Sequence, residues 1–256
     1  MTDLPQRFAL TGTTAVVTGA SRGLGVTICD VLSAAGADIV AVARDDALLS
    51  ETRTIVESHD RRCLTIAADL HDPAAIQHVA ECIRDAVGDA TILVNNAGMS
   101  IPKSLIEQSV EEWDAILNLN LRAPWLMARA LAPGMIAQGG GKIVNISSMA
   151  SDVALTDHGA YVASKAGLNG LTKVMTAEWA RHNIQANAIC PTVVWTPMGE
   201  RVWGVGNKLQ LFLEKVPAGR VATPEEVADL VLYLASPASG MVNGQEIFVD
   251  GGYTAL

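Results

Sequence analysis

Tyr161 and Lys165 lie four residues apart, the spacing that places two side chains on one face of a helix. A phenol is protonated at neutral pH because its ordinary pKa is about 10, and a neighbouring ammonium group favours the phenolate and lowers that pKa. Such a pair can give or take a proton during a reaction. Ser148 follows a strand-like run, 142–147, and its hydroxyl can hydrogen-bond a substrate oxygen. The alternative is an exposed Tyr–Lys pair on a polar helix face without a catalytic role. The motifs in the rest of the chain distinguish these two interpretations.

A glycine-rich turn near the start of the chain is the second candidate for chemistry. An apolar run at 14–18 leads into Gly19-Ala-Ser-Arg-Gly-Leu-Gly25, and a helical pattern follows until Gly36. A second apolar run occupies 38–43. Strand, glycine turn, helix and strand in this order open a dinucleotide-binding fold, in which the backbone approaches a pyrophosphate at a helix N-terminus.

The same alternation continues to the end of the chain. The predicted strands are 14–18, 38–43, 63–67, 91–95, 142–147, 184–189 and 246–249. Strands that alternate with helices indicate a parallel sheet covered on both faces. We therefore expect a single α/β domain over 1–256, a Rossmann-type doubly wound parallel sheet of about seven strands.

Two stretches are predicted to be irregular. A long helix over 111–138 should be interrupted near Pro124 or Pro133, because proline lacks an amide hydrogen and clashes with the preceding turn. Residues 192–222 hold scattered aromatic residues and glycines, and we expect them to form a small substrate lid.

Composition excludes several classes of protein. The chain has 256 residues, a net charge of −9 and no basic block, which argues against nucleic acid or an anionic membrane as a partner. No apolar run reaches about 18 residues, and the first residues lack the apolar segment of a secretory signal. The four cysteines are scattered, which is typical of reduced core residues. We expect a cytoplasmic protein with no metal site, and four of its histidines are predicted to lie on the surface without a role: His59, His71, His78 and His182.

Four motifs now stand in one order along the chain: Thr18-Gly-Ala-Ser-Arg-Gly-Leu-Gly25, Asn95-Asn-Ala-Gly98, the Ser148–Tyr161–Lys165 set, and Pro191. In that combination the chain resembles the short-chain dehydrogenase/reductase family over nearly its whole length. The resemblance implies an oxidoreductase that transfers a hydride to or from a nicotinamide cofactor.

The resemblance also implies roles at the catalytic positions. Tyr161 matches the general acid/base, and Ser148 matches the donor to the substrate oxygen. Lys165 matches the group that binds the nicotinamide ribose and tunes Tyr161. Asn120 matches a residue that holds a water in the proton relay, and Asn95 matches one that steadies the central strands.

A cofactor site is implied along the same cleft. Asp69 matches an adenine contact, and Thr196 matches a contact to the nicotinamide amide. Thr192 departs from the glycine that the family often has after this proline. The residues expected to bind the cofactor are Gly19, Ser21, Arg22, Gly23, Leu24, Gly25, Arg44, Asp69, Leu70, Asn96, Ala97, Gly98, Tyr161, Lys165, Pro191, Val194, Thr196 and Met198.

The end of the second strand bears on the choice between NAD(H) and NADP(H). An acid at this place binds the ribose 2′-hydroxyl of NAD, whereas an arginine accommodates the 2′-phosphate of NADP. Ala43 stands where the acid is expected, Arg44 follows it, and Arg22 adds a second cation. These residues favour NADP(H). Asp45 and Asp46 follow closely, so a strand end displaced by one residue would favour NAD(H).

The substrate is less closely specified. His158, Trp203 and the segment after Pro191 resemble the L-xylulose reductase (dicarbonyl reductase) branch, in which the matching His and Trp line the substrate pocket together with Ser148 and Tyr161. The run Trp179-Ala-Arg-His-Asn183 instead resembles the gluconate 5-dehydrogenase group.

Charge offers a way to choose between these branches. Asp152 and Asp157, with no Lys or Arg between Ser148 and Tyr161, should repel a carboxylate, which favours a neutral ketose, polyol or dicarbonyl. Arg201 is the residue that would supply a cation if it folded inward.

Other functions and assemblies remain open. A sugar-acid dehydrogenase or a 3-oxoacyl-type reductase is the alternative enzyme, and a cofactor-binding regulator without turnover is an alternative of another class. The family resemblance implies a homotetramer, with Trp113, Trp125, Met127 and Trp179 as candidate interface residues.

Overall fold

The computed structural model describes residues 4–256, and within that range the chain forms one parallel sheet of seven strands in the order β3-β2-β1-β4-β5-β6-β7. The strands are β1 Thr14–Thr18, β2 Asp38–Ala43, β3 Cys63–Ala67, β4 Ile92–Asn95, β5 Gly141–Ile146, β6 Ile184–Pro191 and β7 Glu246–Val249. The helices are α1 Leu4–Phe8, α2 Leu24–Ala34, α3 Asp46–Glu57, α4 Pro73–Val87, α5 Val110–Leu117, α6 Ala123–Ala137, α7 Gly159–Trp179, α8 Pro197–Trp203, α9 Lys208–Leu213 and α10 Pro224–Ala235. The predicted fold class is confirmed.

The sheet is buried on both faces, which explains why its strands are continuous apolar runs. Val17 belongs to a core cluster that includes residues of α2 and α10, whereas Val16 belongs to a second cluster with residues of α4 and α6. Neighbouring residues of a strand point to opposite faces, so one strand supplies both cores.

Parallel strands place all their carboxyl ends at one edge of the sheet. The strand order reverses between β1 and β4. In such sheets this reversal opens a crevice at the carboxyl edge, and ligands bind there.

The long helical segment is interrupted just before the first of its two prolines. A π-turn over Asn118–Arg122 separates α5 from α6, with the Ala123 amide donating to the Asn118 carbonyl. Pro124 lies in the first turn of α6, where its missing amide hydrogen is not needed, and Pro133 lies inside α6 without ending it. The predicted interruption near Pro124 is therefore found, as a π-turn that ends two residues before this proline, whereas Pro133 causes none.

Residues 192–222 contain two short helices, α8 and α9, rather than an irregular loop. The Thr196 hydroxyl accepts a hydrogen bond from the Gly199 amide at 3.2 Å and caps α8. Trp203 packs against a third apolar cluster whose buried members are Met149, Val193, Phe212 and Val216.

Two of the four candidate interface residues are placed in or against the core. Met127 is fully buried, so its prediction as an interface residue was wrong, and Trp179 packs against the same core cluster. Trp125 is 43% exposed.

In the part of the chain that the structure covers, none of the helices is long and apolar enough to cross a membrane, and no group of three His, Cys, Asp or Glu side chains is placed to hold a metal ion.

Candidate active site

A cleft of about 450 Å³ follows the carboxyl edge of the sheet. Every residue that the sequence predicts to bind cofactor or substrate lines this cleft. Among the predicted catalytic residues, Ser148, Tyr161 and Lys165 line it, and Asn120 is absent from its lining.

The three polar groups of the catalytic corner come from two elements. Ser148 stands two residues beyond the end of β5, and Tyr161 and Lys165 lie in the first half of α7. The Lys165 ammonium donates to the Ile146 carbonyl at 2.7 Å, and its Nζ lies 5.7 Å from the centre of the Tyr161 ring. The helix thereby presents the phenol and the ammonium to the end of the strand that positions Ser148.

Burial affects the two titrating groups in opposite directions. It lowers the pKa of Lys165 to about 8, because Lys165 is only 4% exposed and an ammonium is disfavoured away from water. It raises the pKa of Tyr161, and a hydrogen bond with the Ser148 side chain opposes that rise. The expected lowering of the Tyr161 pKa by Lys165 is therefore not found, because the ammonium donates to a carbonyl and the phenol is enclosed.

Asn120 lies in the π-turn and is fully buried. Its side-chain oxygen accepts from the Met99 amide at 2.8 Å, while its nitrogen donates to the Met99 carbonyl at 2.9 Å and to Ser164 Oγ at 3.1 Å. Met99 lines the cleft, and Ser164 precedes Lys165 on α7. Asn120 thus joins the cleft wall to the catalytic helix, and a role in holding a water stays a prediction.

The glycine turn is packed too tightly against the neighbouring backbone to accept side chains at Gly19 and Gly25. A Cβ at Gly25 would lie 2.1 Å from the Gly19 carbonyl oxygen, and one at Gly19 would lie 2.9 Å from the Ala97 Cα. Gly19 also has φ +67°, a conformation that favours glycine. The turn runs into the N-terminus of α2, so these residues fit a cofactor pyrophosphate close to the backbone.

The Asn96-Ala97-Gly98 run is attached to this turn by Thr18. The Thr18 hydroxyl accepts hydrogen bonds from the Asn96 and Ala97 amides, each at 3.0 Å. The Asn96 side chain in turn donates to the Thr18 carbonyl at 2.9 Å. On the other side of β4, Asn95 donates to Asn145 Oδ1 at 2.9 Å, which links β4 to β5.

At the far end of the cleft, β2 ends at Ala43 and Arg44 follows it directly. Arg22 and Arg44 both line the cleft and are exposed. The carboxylate of Asp45 accepts from the Leu48 amide at 3.2 Å and caps α3. The strand end therefore falls where the sequence placed it, and Asp45 has a structural role there.

Asp69 and His71 line the same end of the cleft. His71 Nδ1 lies 2.7 Å from Asp69 Oδ1. Hydrogen bonding from the His71 amide is the main cause that holds the pKa of Asp69 below its ordinary value. His71 was predicted to be a surface residue without a role; its side chain is partly exposed and lines the cleft, and the absence of a role stays a prediction.

The opposite end of the cleft is aromatic. The His158 ring lies parallel to the Trp203 indole, with centroids 6.3 Å apart and planes inclined by 14°, and it meets the Tyr161 ring edge-on at 6.3 Å. His158 Nδ1 lies 2.7 Å from the Thr156 carbonyl. Since a carbonyl only accepts, Nδ1 carries the hydrogen, and Nε2 of the neutral ring is an acceptor. His158 precedes α7 and its side chain does not cap that helix, which separates it from an ordinary N-terminal polar residue.

The charges at this end differ from those expected. Asp152 and Asp157 are exposed and absent from the cleft lining, whereas Arg201 lines the cleft. The repulsion assigned to the two carboxylates therefore has no direct geometric basis. Sequence reasoning also missed several lining residues whose types carry no motif: Met99, Ser100, Leu155 and Thr192.

Known proteins resemble this chain over almost its full length. A family model described as enoyl-(acyl carrier protein) reductase matches residues 19–254. D-threitol dehydrogenase of Mycolicibacterium smegmatis is 38% identical over 251 residues, which cover 96% of this chain and 95% of that protein. NAD-dependent glycerol dehydrogenase of Listeria innocua is 38% identical over 249 residues, covering 96% of each chain. L-xylulose reductase of Bos taurus is 40% identical over 250 residues, covering 96% of this chain and 98% of that one.

A solved structure is similar to this chain over almost its full length as well. The gluconate 5-dehydrogenase of Burkholderia cenocepacia, in complex with NADP and tartrate, superimposes with a TM-score of 0.94 at 34% identity and covers 99% of this chain and 100% of that one.

Proposed function

The chain belongs to the short-chain dehydrogenase/reductase family, and from that membership we propose that it transfers a hydride reversibly between NADP(H) and a small neutral ketose, polyol or dicarbonyl. The observation that carries the proposal is the catalytic corner, where Ser148, Tyr161 and Lys165 meet at one end of a cleft whose other end holds the glycine turn. A regulator without turnover would have no need of this set.

The chemistry assigns one task to each group. A reduced nicotinamide bound in the cleft would supply the hydride for the carbonyl carbon. Tyr161 donates its phenolic proton to the oxygen of that carbonyl, and in the reverse direction it accepts the proton from the alcohol. Ser148 hydrogen-bonds the same oxygen and orients it. The Lys165 ammonium, 5.7 Å from the Tyr161 ring centre, favours the phenolate that remains after proton transfer.

The preference for NADP(H) rests on Arg22 and Arg44. Both line the cleft, and β2 ends at Ala43 without an acid for the ribose hydroxyl. Arginine pairs well with a phosphate through two parallel hydrogen bonds. Among the relatives, one is named as NAD-dependent and one was solved with NADP, so the cofactor of this chain has to be measured.

A neutral substrate is supported by the substrate end of the cleft. His158 Nε2 is an acceptor suited to a hydroxyl, and the apolar face of Trp203 lies beside it. D-threitol dehydrogenase, glycerol dehydrogenase and L-xylulose reductase are relatives named for neutral polyols or a ketose.

A sugar-acid dehydrogenase is the second candidate, and Arg201 is the observation that favours it. Arg201 lines the cleft, and a guanidinium there can pair with a carboxylate; the gluconate 5-dehydrogenase named above shares the fold closely. Residues 192–222, which include Arg201, Trp203 and both short helices, are proposed to be the substrate lid. The homotetramer also remains a proposal.

A substrate screen tests the proposed function. Ketoses, diketones and keto-acids are each mixed with the enzyme and NADPH, and in parallel with NADH, while nicotinamide absorbance is followed. We expect turnover of neutral ketoses or diketones with NADPH. Absence of turnover with every carbonyl compound and both cofactors would contradict the proposal.

A further inference from the structure

The loop after β3 holds a carboxylate–imidazole pair, Asp69 and His71, at the cofactor end of the cleft. The His71 amide donates to Asp69 Oδ1 at 3.0 Å, and His71 Nδ1 lies 2.7 Å from the same oxygen. A carboxylate only accepts, so Nδ1 carries its hydrogen in either charge state of the ring. Both bonds go to Oδ1, and within residues 4–256 no donor is bonded to Oδ2.

The surroundings hold this pair in place. Arg122 Nη2 donates to the His71 carbonyl at 2.8 Å, which ties the loop to the π-turn that precedes α6. The Asp72 amide donates to the Asp69 carbonyl at 3.0 Å, and the Ala68 amide donates to the Ala43 carbonyl at 2.8 Å. The backbone of the loop is therefore anchored to the sheet and to the helix layer, while the Asp69 carboxylate itself is held by His71.

We propose that His71 is a positioning residue for the cofactor: it holds Asp69 Oδ1 so that Oδ2 accepts a hydrogen from the exocyclic amino group of adenine. The inference rests on the proposed use of NADP(H). Its chemistry is complementary, because the amino group is a donor and the carboxylate is an acceptor only. One oxygen fixed by two bonds leaves the other oxygen in a defined position.

His71 differs in this respect from the cations nearby. Its Nδ1 hydrogen is already used by Asp69, whereas Arg44 and Arg22 have no hydrogen-bond partner among the described residues and are free to read a phosphate. Adenine is common to NAD(H) and NADP(H), so loss of the His71 contact should weaken both cofactors equally. Loss of Arg44 should weaken NADPH alone.

A matched pair of variants separates the bond from the bulk of the side chain. Asn places an amide nitrogen where His71 has Nδ1, whereas Leu places a methyl group there. Dissociation constants are measured by calorimetry for adenosine 5′-monophosphate, adenosine 2′,5′-bisphosphate and NADPH. We expect His71→Leu to raise all three about three- to tenfold, as for the net loss of one ordinary hydrogen bond, and His71→Asn to stay within about twofold of wild type.

Two controls complete the test. Arg44→Ala should weaken the bisphosphate and leave the monophosphate nearly unchanged. In an Asp69→Asn background, His71→Leu should add nothing, because the two residues act as a unit. Thermal melting of each variant checks that the fold is intact.

Equal affinities of wild type and His71→Leu would overturn the inference, as would an Asn variant as weak as the Leu variant with both folded. An effect confined to the bisphosphate would show that His71 reads the phosphate instead, and would also overturn it. If the wild type bound none of the three ligands, the proposed function itself would fail.

Discussion

The Lys165 ammonium lies 5.7 Å from the centre of the Tyr161 ring and donates to the Ile146 carbonyl at 2.7 Å. The cation is thus held beside the phenol by the backbone of β5, and no hydrogen bond joins the two side chains in the structure of residues 4–256. We expect Lys165 to act on the phenolate that forms during the reaction by charge rather than by a hydrogen bond, so its own protonation state should affect the rate.

Tyr161→Phe removes the proton donor and leaves the ring. We expect turnover to fall by about two orders of magnitude, the usual loss for removal of a general acid, because the deleted hydroxyl is the group that protonates the substrate oxygen. The affinity for NADPH, measured by calorimetry, should change less than about twofold, because the aromatic ring stays and the phenolic proton is needed only by the reacting oxygen. A variant that keeps more than about a tenth of the wild-type rate would show that another group donates the proton.

The pH dependence of carbonyl reduction should report on Lys165. Its pKa is lowered to about 8, so Lys165 is charged below that pH and neutral above it. Burial raises the pKa of Tyr161 above its ordinary value, so the phenol keeps its proton through the same range. We therefore expect kcat/KM to be flat below about pH 7 and to fall through an apparent pKa near 8. A profile that stays flat beyond pH 10 would contradict a role for the Lys165 charge.

Arg44→Ala should separate the two cofactors. We expect the KM for NADPH to rise by a factor that corresponds to about 1.5–3 kcal/mol, the range for a hydrogen bond to a charged group, while the KM for NADH changes little. Arg129 is exposed on α6 outside the cleft, so Arg129→Ala serves as a control for lost surface charge. Equal effects of Arg44→Ala on both cofactors would show that this residue does not read the 2′-phosphate.

Arg201→Ala tests the charge of the substrate. We expect wild type to prefer L-xylulose or diacetyl over 5-keto-gluconate in kcat/KM with NADPH at neutral pH, and the variant to retain that preference. Lys208→Ala is the matched control, because Lys208 lies in the same segment, residues 192–222, but does not line the cleft. A wild-type preference for 5-keto-gluconate that Arg201→Ala abolishes would replace the neutral-substrate proposal with the sugar-acid alternative.

The sequence predicted the strands and most helices well, because each buried parallel strand is an apolar run bounded by polar or turn residues. The family resemblance also identified the cleft residues, which lie where the carboxyl ends of the parallel strands meet at one edge. The observed strands differ from the predicted ones by one or two residues at their ends: β5 stops at Ile146, and β6 continues to Pro191.

The errors came from contacts between distant parts of the chain. No local sequence pattern indicates the π-turn. Its residue Asn120 forms hydrogen bonds with Met99 and Ser164, which are 21 and 44 residues away in the sequence. Met127 was misplaced because an apolar residue on a long helix has the same pattern whether it faces the core or a partner. Asp152 and Asp157 were counted as cleft charges because proximity in sequence does not give the direction of a side chain.

The π-turn also constrains how the length of this chain can vary. Its five residues include Asn120, which donates to Ser164 on the catalytic helix, and Arg122, which donates to the His71 carbonyl. A π-turn closes its hydrogen bond over one residue more than a regular α-helical turn, so deletion of a single residue between 118 and 122 would leave a continuous α-helix and shift Asn120 and Arg122 away from their partners. Substitutions can be absorbed locally, but a one-residue deletion here would displace the supports of both ends of the cleft together.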